Sequence, residues 1–129
     1  MKFKKFKFKK VKSTNDTAIR LIRKNISESG MVVADSQLNG RGQYGRKWVS
    51  YKGNLFVSFF HKMNTKKISI TNITKINCFL VKRLLSRYIK KKIIYKKPND
   101  LLIDKKKISG ILQETISVSD KILLITGIG

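Results

Sequence analysis

Gly40-Arg41-Gly42-Gln43-Tyr44-Gly45-Arg46-Lys47-Trp48 gathers three glycines, two arginines, a lysine and the chain's single tryptophan into one short stretch. It stands between two apolar runs, Met31 to Ala34 and Leu55 to Phe60, each of the length and composition of a buried strand. The stretch therefore reads as a long loop, from Asp35 to Trp48, carried on a sheet. Its glycines admit positive φ and close backbone approach, and its arginines supply planar, bidentate donors. Two readings stay open on these residues alone: a solvated basic hairpin loop, or a cradle for an anion.

Working outward, Phe6, Phe8 and Val11 alternate with lysines and predict a strand. Ser13-Thr14-Asn15-Asp16 has N-cap chemistry, and Ile19, Leu21, Ile22 and Ile26 extend a helical stripe to about Asn25, with Gly30 ending the segment. On the other side, Lys52-Gly53-Asn54 is a turn that would fold Trp48-Val49-Ser50 against Leu55 to Phe60 as a hairpin. Ile70, Ile73, Ile76, Leu80, Leu84 and Tyr88 are spaced by threes and fours and predict a helix from Thr71 to Lys90. Four strands follow: Ile93 to Lys96, Leu101 to Asp104, Lys107 to Ser117 and Ile122 to Thr126, before Gly127-Ile128-Gly129. The order β-α-β-β-α-β-β-β-β implies an α+β fold, a mixed and mainly antiparallel sheet backed by helices.

At 129 residues the chain makes one domain, 1–129, with no internal repeat or linker. Thirty lysines and arginines against seven carboxylates give a net charge of +23. Either the protein binds a polyanion, or the lysines, scattered along the chain with abundant Ile and Asn, reflect A/T-rich codons. One cysteine, Cys78, excludes an intrachain disulfide and reads as a buried thiol within a helix. His61 is the single histidine and closes an apolar strand, so neither a catalytic dyad nor a zinc site is expected around it. There is no apolar run long enough to span a membrane and no signal-peptide h-region, so a cytoplasmic protein without a membrane partner is expected.

For chemistry, Ser13, Thr14 and Asn15 offer hydroxyls and an amide beyond their capping role. Lys96-Lys97-Pro98-Asn99-Asp100 is a strand end leading into a turn. In Lys105-Lys106-Lys107, only Lys107 flanks the apolar strand and has reason to point inward. Neither a carboxylate pair nor a nucleophile with its base stands out, which favours electrostatic stabilisation of an anion over covalent catalysis.

Taken in order, Ser13-Thr14-Asn15, Gln37, Gly40-Arg41-Gly42-x-x-Gly45-Arg46-x-Trp48, Gly53-Asn54-Leu55, Lys96-x-Pro98-Asn99-Asp100, Lys107-x-x-Gly110-Ile111-Leu112-x-Glu114 and Gly127-x-Gly129 resemble the catalytic domain of biotin–protein ligases (biotin–acetyl-CoA-carboxylase ligases). The resemblance spans residues 6 to 129 and implies a class II synthetase-like biotin/lipoate ligase fold. It implies that biotin and ATP, with Mg²⁺, form biotinyl-5′-AMP, and that biotin then passes to one lysine of a biotin carboxyl carrier protein of acetyl-CoA carboxylase. By motif, Ser13, Thr14, Asn15 and Gln37 would bind the ureido head, and Arg41, Gly42 and Gln43 would line the loop over the carboxylate and phosphate. Lys107 would neutralise the reacting oxygens, and Trp48, Gly110, Leu112, Gly127 and Gly129 would wall the valeryl chain and adenylate. Lys96, Asn99 and Asp100 would handle nucleotide phosphates and metal, with Arg41 and Arg46 also on the nucleotide; no residue is assigned as a direct metal ligand. Catalytic roles would fall on Lys107, Arg41, Lys96 and Asp100.

The chain departs from the family at Gln43, where many members carry a third arginine, and at Lys97, where an aromatic usually precedes Pro-Asn-Asp. The family also continues beyond the equivalent of Gly129 into further helices and a small β-barrel. The resemblance thus implies the N-terminal part of a catalytic domain, with part of the ATP pocket absent. No winged-helix segment precedes residue 6, so neither a repressor role nor a specific nucleic-acid partner is expected; a homodimer is compatible with the family. The alternatives are a lipoate or octanoyl ligase or transferase of the same superfamily, and a basic nucleic-acid-binding module.

Overall fold

The computed structural model describes residues 3–64 and 67–129. In chain order the elements are β1 (Lys5–Val11), α1 (Thr14–Arg23), β2 (Gly30–Gln37), β3 (Gly40–Arg41), β4 (Lys47–Trp48), β5 (Phe56–Lys62), α2 (Ile70–Leu85), β6 (Ile94–Lys96), β7 (Asp100–Ile103), β8 (Lys106–Val118) and β9 (Lys121–Ile128). Seven strands form one sheet in the order β1-β2-β5-β9-β8-β7-β6, parallel at β1–β2 and antiparallel at every other pairing. The α+β class and mixed sheet expected from the sequence are what the chain adopts.

Alternation along the strands explains which helix covers which face. Phe6 and Phe8, Val32, Phe60, Leu123 and Ile125 point to one face and enclose Ala18, Leu21 and Ile22 of α1. A helix of ten residues is marginal alone, so these contacts hold it: Leu21 and Ile22 contribute on the order of 1.5–3 kcal/mol each by leaving water. The opposite face carries Ile111 and Ile128, which meet Cys78, Val81 and Leu85 of α2 together with Ile93 and Leu101. Burial pushes the Cys78 thiol up to about 11, with the charge of Asp100 adding to it, in keeping with an inert structural thiol.

Tight turns close the last two hairpins. Asp104-Lys105 and Ser119-Asp120 all have positive φ, the backbone of a two-residue loop whose twist suits antiparallel strands. The long strand β8 serves both neighbours, pairing β7 up to Gly110 and β9 from Ile111 onward. A register shift in β7 at Leu101/Leu102 accommodates the change.

The structure departs from the sequence reading in five places. Trp48 pairs with Gly40 in a two-stranded ribbon, and not with the strand at 55–60, whose two edges are already taken by β2 and β9. Strand β2 runs on to Gln37, so that residue sits at a strand end and not in the loop. Helix α1 stops at Arg23 and α2 at Leu85. Finally, the α2 stripe faces outward: Ile76, Leu80 and Leu84 are 51%, 57% and 52% exposed, while Thr74 and Cys78 are buried. Both faces of this helix carry apolar residues, so periodicity alone selects the wrong one. Because α2 packs mainly on β6–β8, an apolar groove of about 500 Å³ runs between Leu80 and Leu84 and the sheet residues Phe59, Leu124 and Ile128.

Candidate functional site

The start of α1, the loop 40–48, the turn 96–100 and the ends of β8 and β9 meet around a cavity of about 250 Å³. Every site residue expected from the sequence lines it: Ser13, Thr14, Asn15, Gln37, Arg41, Gly42, Gln43, Arg46, Trp48, Lys96, Asn99, Asp100, Lys107, Gly110, Leu112, Gly127 and Gly129. Tyr44, Lys47, Lys97, Pro98, Ile111 and Ile128 complete the wall.

Part of the cavity wall is neutral and rich in hydrogen-bonding groups. Ser13 caps α1 by accepting from the Asp16 amide at 3.2 Å, and the turn of backbone this sets brings Thr14 and Asn15 to the cavity. Gln37 Oε1 accepts from the Thr14 amide at 2.8 Å and from the Thr14 hydroxyl at 3.1 Å, while its Nε2 donates to Ser50 Oγ. The Ser58 hydroxyl lies 2.8 Å from Thr14 Oγ1 and also within hydrogen-bond reach of Asn15 Oδ1. Asn15 Nδ2 donates to Glu114 Oε2 at 2.8 Å. Ser13, Thr14, Asn15 and Ser58 are all buried, so a single connected network presents fixed donors and acceptors. Gly127 is required here by proximity: a Cβ on it would collide with the Asn15 amide.

Arg41 sits beside this network and ties the loop to the scaffold. Its guanidinium forms a two-pronged pair with Glu114, at 2.8 and 2.9 Å, and also bonds Asp16 through Nε at 3.0 Å. Hydrogen bonding to Glu114 raises the Arg41 pKa above its ordinary value despite burial, so it is always charged. Burial pushes the Glu114 carboxyl up, but the bonds from Arg41 and Asn15 outweigh it and hold the pKa below the ordinary value.

The rest of the loop is organised by its own backbone. Gly42 donates to the Arg46 carbonyl at 2.7 Å, and Arg46 donates back to the Gln43 carbonyl, around a 3-10 turn over Gln43–Gly45 with Gly45 at φ +72°. Trp48 then leans across the ends of β8 and β9. A Cβ on Gly110 or Gly129 would lie within about 3 Å of its indole. Lys107 Nζ lies over the same ring, 4.6 Å from its centroid, and 2.8 Å from Asp100 Oδ1. That oxygen is buried and lacks an aligned hydrogen bond, so the contact is an ion pair without hydrogen-bond geometry.

Beyond the polar network the wall is cationic. Among the described residues, Asp100 is the only carboxylate on it. Arg46, Lys47, Lys96 and Lys97 also line it, and none forms an ion pair among the described residues. Asn99 is spoken for: its side-chain amide donates to the Ile111 carbonyl at 2.9 Å and its own carbonyl accepts from Ile111, which fastens the turn to β8. The cavity wall thus combines a neutral polar network, the Trp48 indole and a set of cations.

A family model described as the biotin/lipoate A/B protein ligase family matches residues 7–129. The chain belongs to that family. It is 34% identical over 119 residues to the bifunctional ligase/repressor BirA of Bacillus subtilis, a match covering 91% of this chain and 37% of that protein. Among solved structures, the biotin protein ligase of Aquifex aeolicus in complex with biotin and ATP superposes with TM-score 0.77 at 33% identity. The alignment covers 98% of this chain and 52% of that one. The Leishmania major biotin protein ligase in complex with biotinyl-5-AMP gives 0.78 at 26% identity, covering 98% and 57%. The chain therefore spans little more than a third of the curated relatives and about half of the solved ligases.

Three residues of the site carry no role in the sequence reading of this family member. Asp16 is legible only as part of a helix cap. Ser58 is a polar residue within the apolar run Phe56-Val57-Ser58-Phe59-Phe60, and Glu114 is an acid on the same strand face as Leu112 and Ile116. Ser58 and Glu114 each break a local apolar pattern, which is the signal that a partner waits elsewhere in the fold.

Proposed function

We propose that this chain is the biotin-activating portion of a biotin protein ligase. The observation that carries this reading is that one cavity wall holds both a buried, neutral hydrogen-bonding network and several cations that form no ion pair among the described residues. Biotin has the matching form, a neutral urea with two donors and an acceptor at one end and a carboxylate at the other. Ser13, Thr14, Asn15 and Gln37 hold the urea, Trp48 and the glycines of β8 and β9 flank the chain, and the carboxylate arrives among the cations.

Joining that carboxylate to ATP requires two anions to meet, which costs energy unless fixed cations lie between them. Lys107, held by Asp100 and stacked on Trp48, is the placed cation; Arg46 and Lys96 are free to reach phosphate. A carboxylate oxygen attacks the α-phosphorus, pyrophosphate leaves, and the mixed anhydride then acylates a lysine amine, releasing AMP. The acceptor is a biotin carboxyl carrier protein. No group of three or more His, Cys, Asp or Glu side chains gathers among the described residues, and Asp100 is already paired. These residues do not fit a metal held by the protein alone; Mg²⁺ belongs with the triphosphate as part of that substrate.

Isothermal titration with biotin, with lipoate and with ATP tests the reading, together with pyrophosphate release from biotin, ATP and Mg²⁺. Biotin is expected to bind and lipoate not to compete. Binding of lipoate with no heat from biotin transfers the chain to the lipoate branch of the family. Binding to neither removes the ligase reading.

A further inference from the structure

Asn15 and Arg41 share one acceptor. Glu114 Oε2 receives Asn15 Nδ2 at 2.8 Å and Arg41 Nη2 at 2.9 Å, while Oε1 receives Arg41 Nη1 at 2.8 Å. The groups come from three separate parts of the chain: helix α1, the 40–48 loop and strand β8. We propose that Glu114 is a positioning residue of the biotin pocket, fixing which edge of the Asn15 amide faces the ligand and anchoring Arg41 beside it. The proposal rests on the biotin reading above and deepens it.

The physical reason lies in donor and acceptor chemistry. An amide side chain can rotate to exchange its NH₂ and its carbonyl oxygen, and the two edges are opposite in hydrogen-bonding sense. An ionised carboxylate only accepts, so Glu114 admits the NH₂ edge alone and leaves Oδ1 facing the buried Ser58 hydroxyl and Gly127, the latter a residue of the cavity wall. A urea N–H then finds an acceptor. With the amide reversed it would meet a donor, and a buried site with two donors face to face rejects its ligand strongly. Arg41 keeps Glu114 ionised, and its bond to Asp16 fixes the guanidinium from its other edge. The charged groups around Glu114 are Arg41 and, beyond it, Asp16; strand β9 presents only Ile125 opposite.

Glu114→Gln is close to isosteric but can offer either edge, so it frees the Asn15 amide to reverse. Biotin affinity is measured by titration calorimetry for the wild type, Glu114→Gln, Asn15→Ala and the double variant. If Glu114 acts through Asn15, Glu114→Gln weakens biotin at least about tenfold and adds nothing further once Asn15 is alanine. Glu114→Asp, which still only accepts, recovers part of the loss and serves if Glu114→Gln does not fold. Independently of biotin, the Asn15 side-chain NH₂ resonances in nitrogen-15 NMR should shift with the Glu114 titration, with a midpoint below the ordinary carboxylate range. That movement should vanish in Glu114→Gln. Wild-type affinity in a folded Glu114→Gln, losses that multiply in the double variant, or Asn15 signals that ignore the Glu114 titration each overturn the proposal. A wild type that fails to bind biotin defeats the ligase reading instead, and the NMR titration still decides whether Glu114 sets the amide.

Discussion

At the scale of single residues, the site's most demanding position is Gly127. A Cβ there meets the Asn15 amide, which cannot retreat because Ser58 and Glu114 hold both its ends. Gly127→Ala should therefore displace Asn15, costing roughly 1–3 kcal/mol as for other overpacked interiors, and should abolish measurable biotin binding; calorimetry and a thermal melt read the two effects. Lys107 behaves differently, since its side chain is 42% exposed while that of Asp100 is 19% exposed. Lys107→Ala leaves a largely buried carboxylate without its cation, so a loss of about 1–3 kcal/mol is expected. Adding Asp100→Asn should restore most of that stability but none of the pyrophosphate release. A double variant as unstable as Lys107→Ala would mean that the indole contact, and not the ion pair, is what matters there. The residues on the cavity wall were legible because each lies in a short motif whose order along the chain is itself a pattern. Asp16 and Ser58 are not, and Glu114, though it closes one of those motifs, has no role there, because their partners lie dozens of residues away and no local spacing encodes such a pairing.

At the scale of elements, local signals located the helices and strands well wherever one face is buried and the other is wet. Strand β1, with Phe6 and Phe8 inside and lysines outside, is the clear case. Helix α2 is the failure, for its outward stripe of Ile76, Leu80 and Leu84 is as apolar as its inward set of Cys78, Val81 and Leu85. The ribbon of β3 and β4 is not legible because the turn at Lys52-Gly53-Asn54 points Trp48 to the strand that follows, while Gly40 has no strand pattern; the Trp48 indole is placed by contact with Gly110 and Gly129. The two helix caps allow stability to be separated from function. Ser13 accepts from the Asp16 amide and Ser69 from the Asn72 amide, both at 3.2 Å. Replacing either by alanine should cost about 0.5–2 kcal/mol, the range for a lost N-cap. Only Ser13→Ala should also weaken biotin, because α1 begins in the cavity wall and α2 does not. Equal effects of both variants on ligand binding would show that destabilisation, not the site, is being measured.

At the scale of the whole molecule, two properties oppose each other: a net charge of +23 and an open apolar groove along α2. Self-repulsion at this charge strains the compact state while keeping molecules apart, and both effects fade as the screening length shrinks to about 8 Å at physiological ionic strength. Moderate salt should therefore raise the melting temperature, the reverse of what ion pairs such as Arg41–Glu114 would give if they dominated. Higher salt removes the repulsion between molecules and leaves the exposed Leu80 and Leu84, with Phe59 beside them, to associate. Leu80→Glu with Leu84→Glu should suppress that salt-induced association and the binding of a hydrophobic dye. Both positions are more than half exposed, so the change should leave the low-salt melting temperature within the range of ordinary surface substitutions, about 0.5 kcal/mol each. Light scattering across a salt series separates the two regimes. If the double variant aggregates as readily as the wild type, the groove is not the sticking surface; if it unfolds, the outward face of α2 belongs to the core after all.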